Sequence, residues 1–209
     1  MLKRFRDFWQ MLMTPPAKAL IAIGATPDLV TLLGTIGVVA GALVFYPTGH
    51  LLIGTIVIAC FVFSDMVDGL MSRLLEHSTK FGAFLDSSLD RIGDAAIFGG
   101  LALYFDGPGD YRMYVVVSLV CLASGSVTSY VRAKAESLGY QAKGGLAERT
   151  DRLVITLVSV GFAALLHWHW LMYAALWFVA VASTITVFQR LWTVWRQARA
   201  ESDPTLPRP

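Results

Sequence analysis

The sequence predicts an all-α integral membrane protein: six transmembrane helices preceded by an N-terminal amphipathic helix lying at the membrane interface. Three observations carry this fold class. The 209 residues are 56% hydrophobic and the mean hydropathy is +0.59, above an ordinary soluble domain. The apolar residues fall in runs long enough to cross a hydrocarbon core of about 30 Å. The basic residues gather on one set of connections, which orients the spans.

Taken in order, the stretch from Met1 to Gln10 mixes charges with aromatic residues and lacks the continuous apolar core of a cleavable signal. It reads as a helix lying at the membrane surface. The first span runs from Pro27 to Tyr46, opened by Thr26-Pro27-Asp28, a cap with proline in the first turn. A turn at Tyr46–His50 leads to the second span, Leu51 to Leu75, and the third follows from Lys80 to Tyr104. After the breaker Asp106-Gly-Pro-Gly-Asp110 comes a fourth span, Tyr111 to Leu138, and then a polar stretch, Gly139 to Glu148. The fifth span covers Thr150 to His167 and the sixth Leu171 to Trp195. Residues 1–200 form one domain, and the proline-rich 201–209 is a flexible tail.

Six spans put both ends of the domain on one side. That side holds the N-terminal basic cluster, Lys80, the region from Arg132 to Arg152 and the C-terminal arginines. Of the 17 lysines and arginines only Arg112 clearly belongs to the opposite side. By the positive-inside rule the crowded side is cytoplasmic, in a multi-pass protein of the cell membrane. His167, Trp168, His169 and Trp170 then sit at the outer end, as an interfacial belt rather than a metal site. Cys60 and Cys121 lie inside apolar runs with no spacing motif, which argues against a disulfide framework and a zinc site.

The most informative segment lies between residues 65 and 90. It reads Asp65-Met-Val-Asp68-Gly69-Leu-Met-Ser72-Arg73, then eight residues to Gly82, then Asp86 and Asp90. Each carboxylate at helix centre in a bilayer costs about 2.5–3.5 kcal/mol, so four unpaired ones cost roughly 10 kcal/mol. Divalent cations offset such a cost, and the spacing fits them. Asp65 and Asp68 are i and i+3 on one helix, and Asp86 and Asp90 are i and i+4 on the next. Each pair therefore shares a face, and together they can hold one or two Mg²⁺ or Mn²⁺ ions. Gly69 removes a side chain beside Asp68 and leaves the backbone open to a bulky group. Arg73 offers a planar fork to phosphate. Metal, arginine and open backbone describe a site for a pyrophosphate ester.

This order of residues resembles the signature of the CDP-alcohol phosphotransferase family, with Ser72 where the family has alanine. The family moves a phosphatidyl or related group from a CDP-linked donor to an alcohol and releases CMP. The resemblance implies that Asp65, Asp68 and Asp86 ligate a metal pair, with Asp90 shared between metal binding and catalysis as general base. It implies that Gly69 and Arg73 contact the CDP part of the donor. Asp28, Leu29, Val30 and Thr31 resemble the family's cytidine-pocket stretch, and Thr79 a further polar contact to the donor. Asp94, outside the signature, reads as a supporting or acceptor-pocket residue. Family likeness further implies a homodimer, and no nucleic-acid partner is expected. Gly99, Gly100, Ser124, Gly125 and Ser126 permit close helix packing. An ion-coupled transporter is the alternative from another class; it would call for broken helices and inverted repeats, and neither is visible.

The acceptor is read from the rest of the chain. Arg132, Arg152 and Arg190 gather at the cytoplasmic level, where clustered arginines call for an anion such as a phosphorylated acceptor. Arg196 and Arg199 read instead as cations flanking the last span. The stretches Ser129–Glu136, Gly144–Leu153, Ala25–Thr31 and Val187–Leu191 resemble the branch of actinobacterial phosphatidylinositol phosphate synthases. Arg132 stands where that branch often has lysine. The likeness implies CDP-diacylglycerol as donor and inositol 1-phosphate as acceptor, bound through Arg132, Arg152 and Arg190. The nearest alternative is phosphatidylglycerophosphate synthase, with glycerol 3-phosphate as acceptor.

Overall fold

The structure, a computed structural model, describes residues 13–75 and 79–202; the side chains of Ser64, Asp65, Met66 and Ser202 lie outside that description. The interfacial helix expected over residues 1–10 also lies outside the described residues. All regular structure among the described residues is helical. The chain forms two compact units, residues 1–100 and 101–209, with the boundary inside one long helix.

In the first unit, α1 (residues 13–22) precedes α2 (Pro27–Ala40), which continues into a π-helical turn, Gly41–Phe45. The start of α2 is where the capping pattern puts it. The Leu29 N–H donates to the Thr26 hydroxyl at 3.3 Å, and Pro27 occupies the first turn, where no N–H is needed. Ala17 on α1 is buried with Val30 on α2 and with Val67, Leu70 and Met71; Met13, Leu20 and Ile21 pack against that cluster. These contacts fasten α1 to α2 and α4.

The second expected span is interrupted. It comprises α3 (Leu51–Val62) and α4 (Ser64–Leu74), separated at Phe63, whose backbone stays right-handed at φ −66° and ψ −19°. The division has a reason in composition. Before Phe63 the helix is apolar all round, whereas α4 carries Asp65, Asp68 and Arg73 of the acidic motif and has distinct polar and apolar faces. Small residues set the approach of α3 to α2: a Cβ on Gly37 would overlap the Phe61 ring.

The third expected span is α5 (Lys80–Asp106), shared between the units. The second unit continues with α6 (Arg112–Ser137), α7 (Arg149–Leu166) and α8 (His169–Ser202). α8 packs along both α6 and α7. Its helix runs through the first residues of the expected tail; residues 203–209 lie outside the described residues. Around the 106–110 turn Phe105, Tyr111, Tyr114 and Tyr173 pack as a group, with Tyr114 stacked on Tyr173 at 4.4 Å between centroids.

Among the described residues, four segments are long and apolar enough to cross a membrane: Pro27–Phe45, Leu51–Leu74, Arg112–Ser137 and His169–Glu201. The remaining two of the six expected spans, α5 and α7, are too charged to stand with them. α5 carries Asp86, Asp90, Arg91 and Asp94 in its middle, and α7 opens with Arg149, Asp151 and Arg152. The exterior is apolar, with Leu33, Ile36, Ile56, Val116, Val154, Phe162, Phe178 and Phe188 among its exposed residues. Conversely, Ser118, Thr128, Thr156, Ser159, Ser183 and Thr186 are buried. That inversion suits a lipid surround, where helices associate through small and hydroxylated residues. Cys60 is exposed and Cys121 buried, and both are free thiols.

Replacing Gly37 with valine should overpack the α2–α3 contact at a cost of about 1–3 kcal/mol. A fall in the unfolding midpoint of detergent-purified Gly37→Val checks this; an unchanged midpoint would show that Phe61 yields freely.

Candidate functional site

In the first unit the start of α2, the middle of α4 and the start of α5 line a cavity of about 210 Å³. Its wall contains Asp28, Thr31, Asp68, Gly69, Ser72, Thr79, Gly82 and Asp86. Helical spacing explains the selection. Asp28 and Thr31 are i and i+3 on one face of α2, while the residues between them turn elsewhere. Leu29 is exposed, and Val30 belongs to the apolar cluster with Ala17 and Met71. Of the four residues expected to form the cytidine stretch, the structure therefore brings only Asp28 and Thr31 to the cavity.

Thr31 and Asp68 are both buried, with the threonine hydroxyl 2.6 Å from a carboxylate oxygen. The same hydroxyl lies 3.0 Å from the Pro27 carbonyl, but it has one proton, and the shorter, charge-assisted bond claims it. Asp68 is thus oriented by α2 although it belongs to α4. Beside it, among the described residues, nothing outside its chain neighbours and its own helix backbone lies within 4 Å of where a Gly69 Cβ would stand, so the helix is open there. Across the cavity, Thr79 caps α5 by accepting the Gly82 N–H at 2.8 Å. A Cβ on Gly82 would stand 3.0 Å from both Asp28 and Thr79, which explains glycine at that point of the signature. Gly82 and Ser72 had no role assigned from the sequence, yet both line the cavity. Their small size inside the acidic motif was the available signal.

The other motif residues lie as follows. Asp86 is on the wall and exposed. Asp90, one turn on, is not on the wall; its carboxylate is 3.5 Å from the Arg91 guanidinium. Asp94, a further turn along α5, is buried. The Asp65 side chain lies outside the described residues. Arg73 is exposed and donates through Nε to the Gly69 carbonyl at 2.9 Å. Among the described residues no three acidic, histidine or cysteine side chains stand together as a ready cation cage.

The second unit brings the three arginines expected to bind the acceptor into one electrostatic group. Arg190 feels the charges of Arg132 and Arg152 together with those of Glu136 and Glu148. Arg152 is fully buried; it donates to the Ala147 carbonyl at 3.4 Å, and a Cβ on Gly125 would lie 3.4 Å from two of its nitrogens. The Arg152 guanidinium thus lies against α6 at Gly125, at van der Waals distance from where a Cβ would stand. Arg190 donates through Nε to the Gly144 carbonyl at 3.0 Å and through Nη1 to the Thr128 carbonyl at 2.8 Å. It therefore ties the 139–148 segment to α6 and retains further N–H donors. Arg132 is exposed and pairs with Glu136 at 3.0 Å, one helical turn away.

The same segment is braced elsewhere. The Ala147 N–H donates to the Thr186 hydroxyl at 3.2 Å. Glu148 and Asp151 form a capping box that opens α7 and so sets Arg152 in its first turn.

Comparison with known proteins follows this geometry. The family model for CDP-alcohol phosphatidyltransferase matches residues 24–186. A curated phosphatidylinositol phosphate synthase of Streptomyces avermitilis is 53% identical, over 97% of this chain and 86% of its own. One from Cutibacterium acnes is 46% identical, over 94% of this chain and 98% of its own. The crystal structure of the Mycobacterium tuberculosis phosphatidylinositol phosphate synthase with CDP-DAG bound matches at a TM-score of 0.85 and 43% identity, covering 88% of this chain and 94% of that one. The same enzyme in complex with manganese and citrate matches at a TM-score of 0.82 and 42% identity, with 88% of each chain covered.

Arg190→Lys keeps the charge but cannot make both carbonyl bonds in the same geometry. Limited proteolysis should then cut within 139–148 several-fold faster than in the wild type; equal rates would show that Gly144 is held by other bonds.

Proposed function

The chain belongs to the CDP-alcohol phosphatidyltransferase family, and from that premise we propose that it transfers a phosphatidyl group from CDP-diacylglycerol to inositol 1-phosphate, giving phosphatidylinositol phosphate and CMP. The observation that carries the donor half is the cavity on which Asp28, Thr31, Asp68, Gly69, Thr79 and Asp86 converge from three stretches of chain. The relatives' shared name and the electrostatic group of Arg132, Arg152 and Arg190 support the acceptor half.

The cavity wall fits a hard divalent cation. Asp68 and Asp86 present carboxylate oxygens and Thr31 a hydroxyl, with no soft donor among them. Asp65, Asp68, Asp86 and Asp90 would hold two such ions, Mg²⁺ or Mn²⁺. When bound, they neutralise charge on the pyrophosphate and polarise its phosphorus.

The protein's own groups divide the remaining work. The bare backbone at Gly69 admits the nucleotide close to α4, with Arg73 one turn away for its phosphates. Asp28, Thr31 and Thr79 complete the donor wall. Arg152, Arg190 and Arg132 face the acceptor's phosphate, Arg190 with the N–H donors that its two carbonyl bonds leave. Asp90 takes the proton of the inositol hydroxyl as that oxygen attacks the phosphorus bearing diacylglycerol. The new P–O bond forms as the bond to the CMP oxygen breaks, and CMP departs with that electron pair.

We place all six helical spans in the cell membrane, α5 and α7 included, with the reacting groups facing the cytoplasm and an amphipathic helix at the N-terminal interface. α5 has 27 residues and α7 has 18. At 1.5 Å per residue these are about 40 and 27 Å, near or above the hydrocarbon thickness. Their charges belong to the active site and to the acceptor group. We further propose a homodimer.

The direct test is CMP release by purified protein with CDP-diacylglycerol and Mg²⁺, offering inositol 1-phosphate or glycerol 3-phosphate separately. Release with inositol 1-phosphate alone is expected. Release with glycerol 3-phosphate would keep the chemistry and replace the acceptor; none with either would overturn the assignment. In the same assay Asp90→Asn should abolish turnover while CDP-diacylglycerol binding is largely kept, and normal turnover would remove Asp90 from the base role.

A further inference from the structure

Away from the three acceptor arginines, the second unit holds another cavity, of about 510 Å³, between the 139–143 segment and the last turns of α8. It is lined by Gly139, Gln141, Lys143, Thr193, Arg196 and Gln197, so its wall contains no apolar side chain.

That wall is built rather than incidental. Gly139 ends α6 in the left-handed region at φ 85°, with its N–H bonded to the Glu136 carbonyl at 3.1 Å. Gln141 and Gln197 then pair reciprocally. The Gln141 N–H donates to the Gln197 side-chain oxygen at 2.9 Å, and the Gln197 amide donates back to the Gln141 carbonyl at 2.7 Å. Tyr140 adds a 2.8 Å bond to Glu201, and Thr193 turns its proton to the Gln189 carbonyl at 2.8 Å. The Thr193 hydroxyl and the Gln197 amide are thereby committed, the Gln141 side chain is a neutral amide, and Glu201 is not on the wall.

The charged groups on the wall are two cations. Lys143 and Arg196 have neither a hydrogen bond nor an ion pair among the described residues. Two like charges on one small cavity repel, and an anion between them replaces repulsion with charge-assisted contacts. A guanidinium fork beside a mobile ammonium is the combination that recognises phosphate. Its depth is marked by Trp192 and Trp195, exposed on the preceding turn of α8 with ring centroids 4.8 Å apart. Such tryptophans sit at the level of lipid headgroups.

We propose that this cavity binds a phosphate-bearing anion, either the headgroup of an anionic lipid or a soluble phosphate, through Lys143 and Arg196. It is separate from the acceptor group, because none of Arg132, Arg152 and Arg190 lines it.

The test is native mass spectrometry of the purified full chain in detergent, with short-chain phosphatidylglycerol, short-chain phosphatidylcholine or inorganic phosphate added. The wild type should retain phosphatidylglycerol, and the double variant Lys143→Gln/Arg196→Gln should retain roughly tenfold less, the loss expected for one good charged contact. Retention of inorganic phosphate alone, lost in the same variant, keeps the site and makes its ligand soluble. Equal retention by wild type and variant, or phosphatidylcholine held as well as phosphatidylglycerol, overturns the proposal, as does no retention of any of the three. Both side chains are exposed and unbonded, so the variant should fold, with its far-ultraviolet circular dichroism unchanged. Arg196→Lys should recover most of the binding. Because the readout is retention and not turnover, its failure is distinguishable from failure of the proposed transferase reaction.

Discussion

A charge that leaves water without a partner costs several kcal/mol, whether it enters protein or lipid. This chain nevertheless buries Asp68, Asp94, Arg152 and Arg190 beneath an apolar exterior. How each is met shapes its surroundings. Asp68 takes the hydroxyl of Thr31 from another helix, and Arg190 takes two carbonyls from outside α8. Arg152 lies against a glycine and donates to the Ala147 carbonyl. The partners of Asp68 and Arg190 come from elements distant in the chain, so meeting those charges also holds helices and loops in place.

The two functional groups of side chains are consequently built by different means. The donor cavity depends on helix starts: the Thr26 cap sets the register of α2, and the Thr79 cap sets that of α5. With the register set, helical spacing alone carries Asp28 and Thr31, or Gly82 and Asp86, to a common wall. The acceptor group depends on a segment without regular structure. Residues 139–148 lie against α8 because side chains of Arg190, Thr186 and Gln197 hold their backbone. Arg190 is accordingly both a clasp for the loop and a candidate ligand for the acceptor. A phosphate there meets a guanidinium already oriented by carbonyls, which lowers the ordering cost on binding.

Helix starts and the acidic motif were legible because they depend on neighbours in sequence. Thr26-Pro27-Asp28 opens α2 as read, and the helices begin and end within a few residues of expectation except that the second is divided and α8 runs on to Ser202. Other readings failed where a distant contact decided. Leu29 and Val30 belong to the same quoted stretch as Asp28 and Thr31, but only the fold shows which face of α2 meets the cavity. That Arg152 lies against Gly125 is likewise a matter of the fold and not of the local sequence. The Arg132–Glu136 pair was open to inspection at i and i+4, and it tempers the picture of bare arginines. The break at Phe63 marks a change from an apolar helix to an amphipathic one, which hydropathy averaged over a span conceals.

By itself the sequence determined the class of molecule and the chemistry in reach. Apolar runs separated by turn residues require helices in a bilayer, because only helices satisfy every backbone group within one segment. Four aspartates at helical spacing, with glycines and an arginine between them, restrict the chemistry to oxygen-ligated metal and phosphate. Both facts are local, set by composition and by the period of the helix. Tertiary structure alone decided which residues meet: Thr31 with Asp68, Gly82 with Asp28, Gly125 with Arg152, and the 139–148 segment with α8. Such pairings join residues up to 62 positions apart, and they follow from how packed helices satisfy buried polar groups, which no local pattern records.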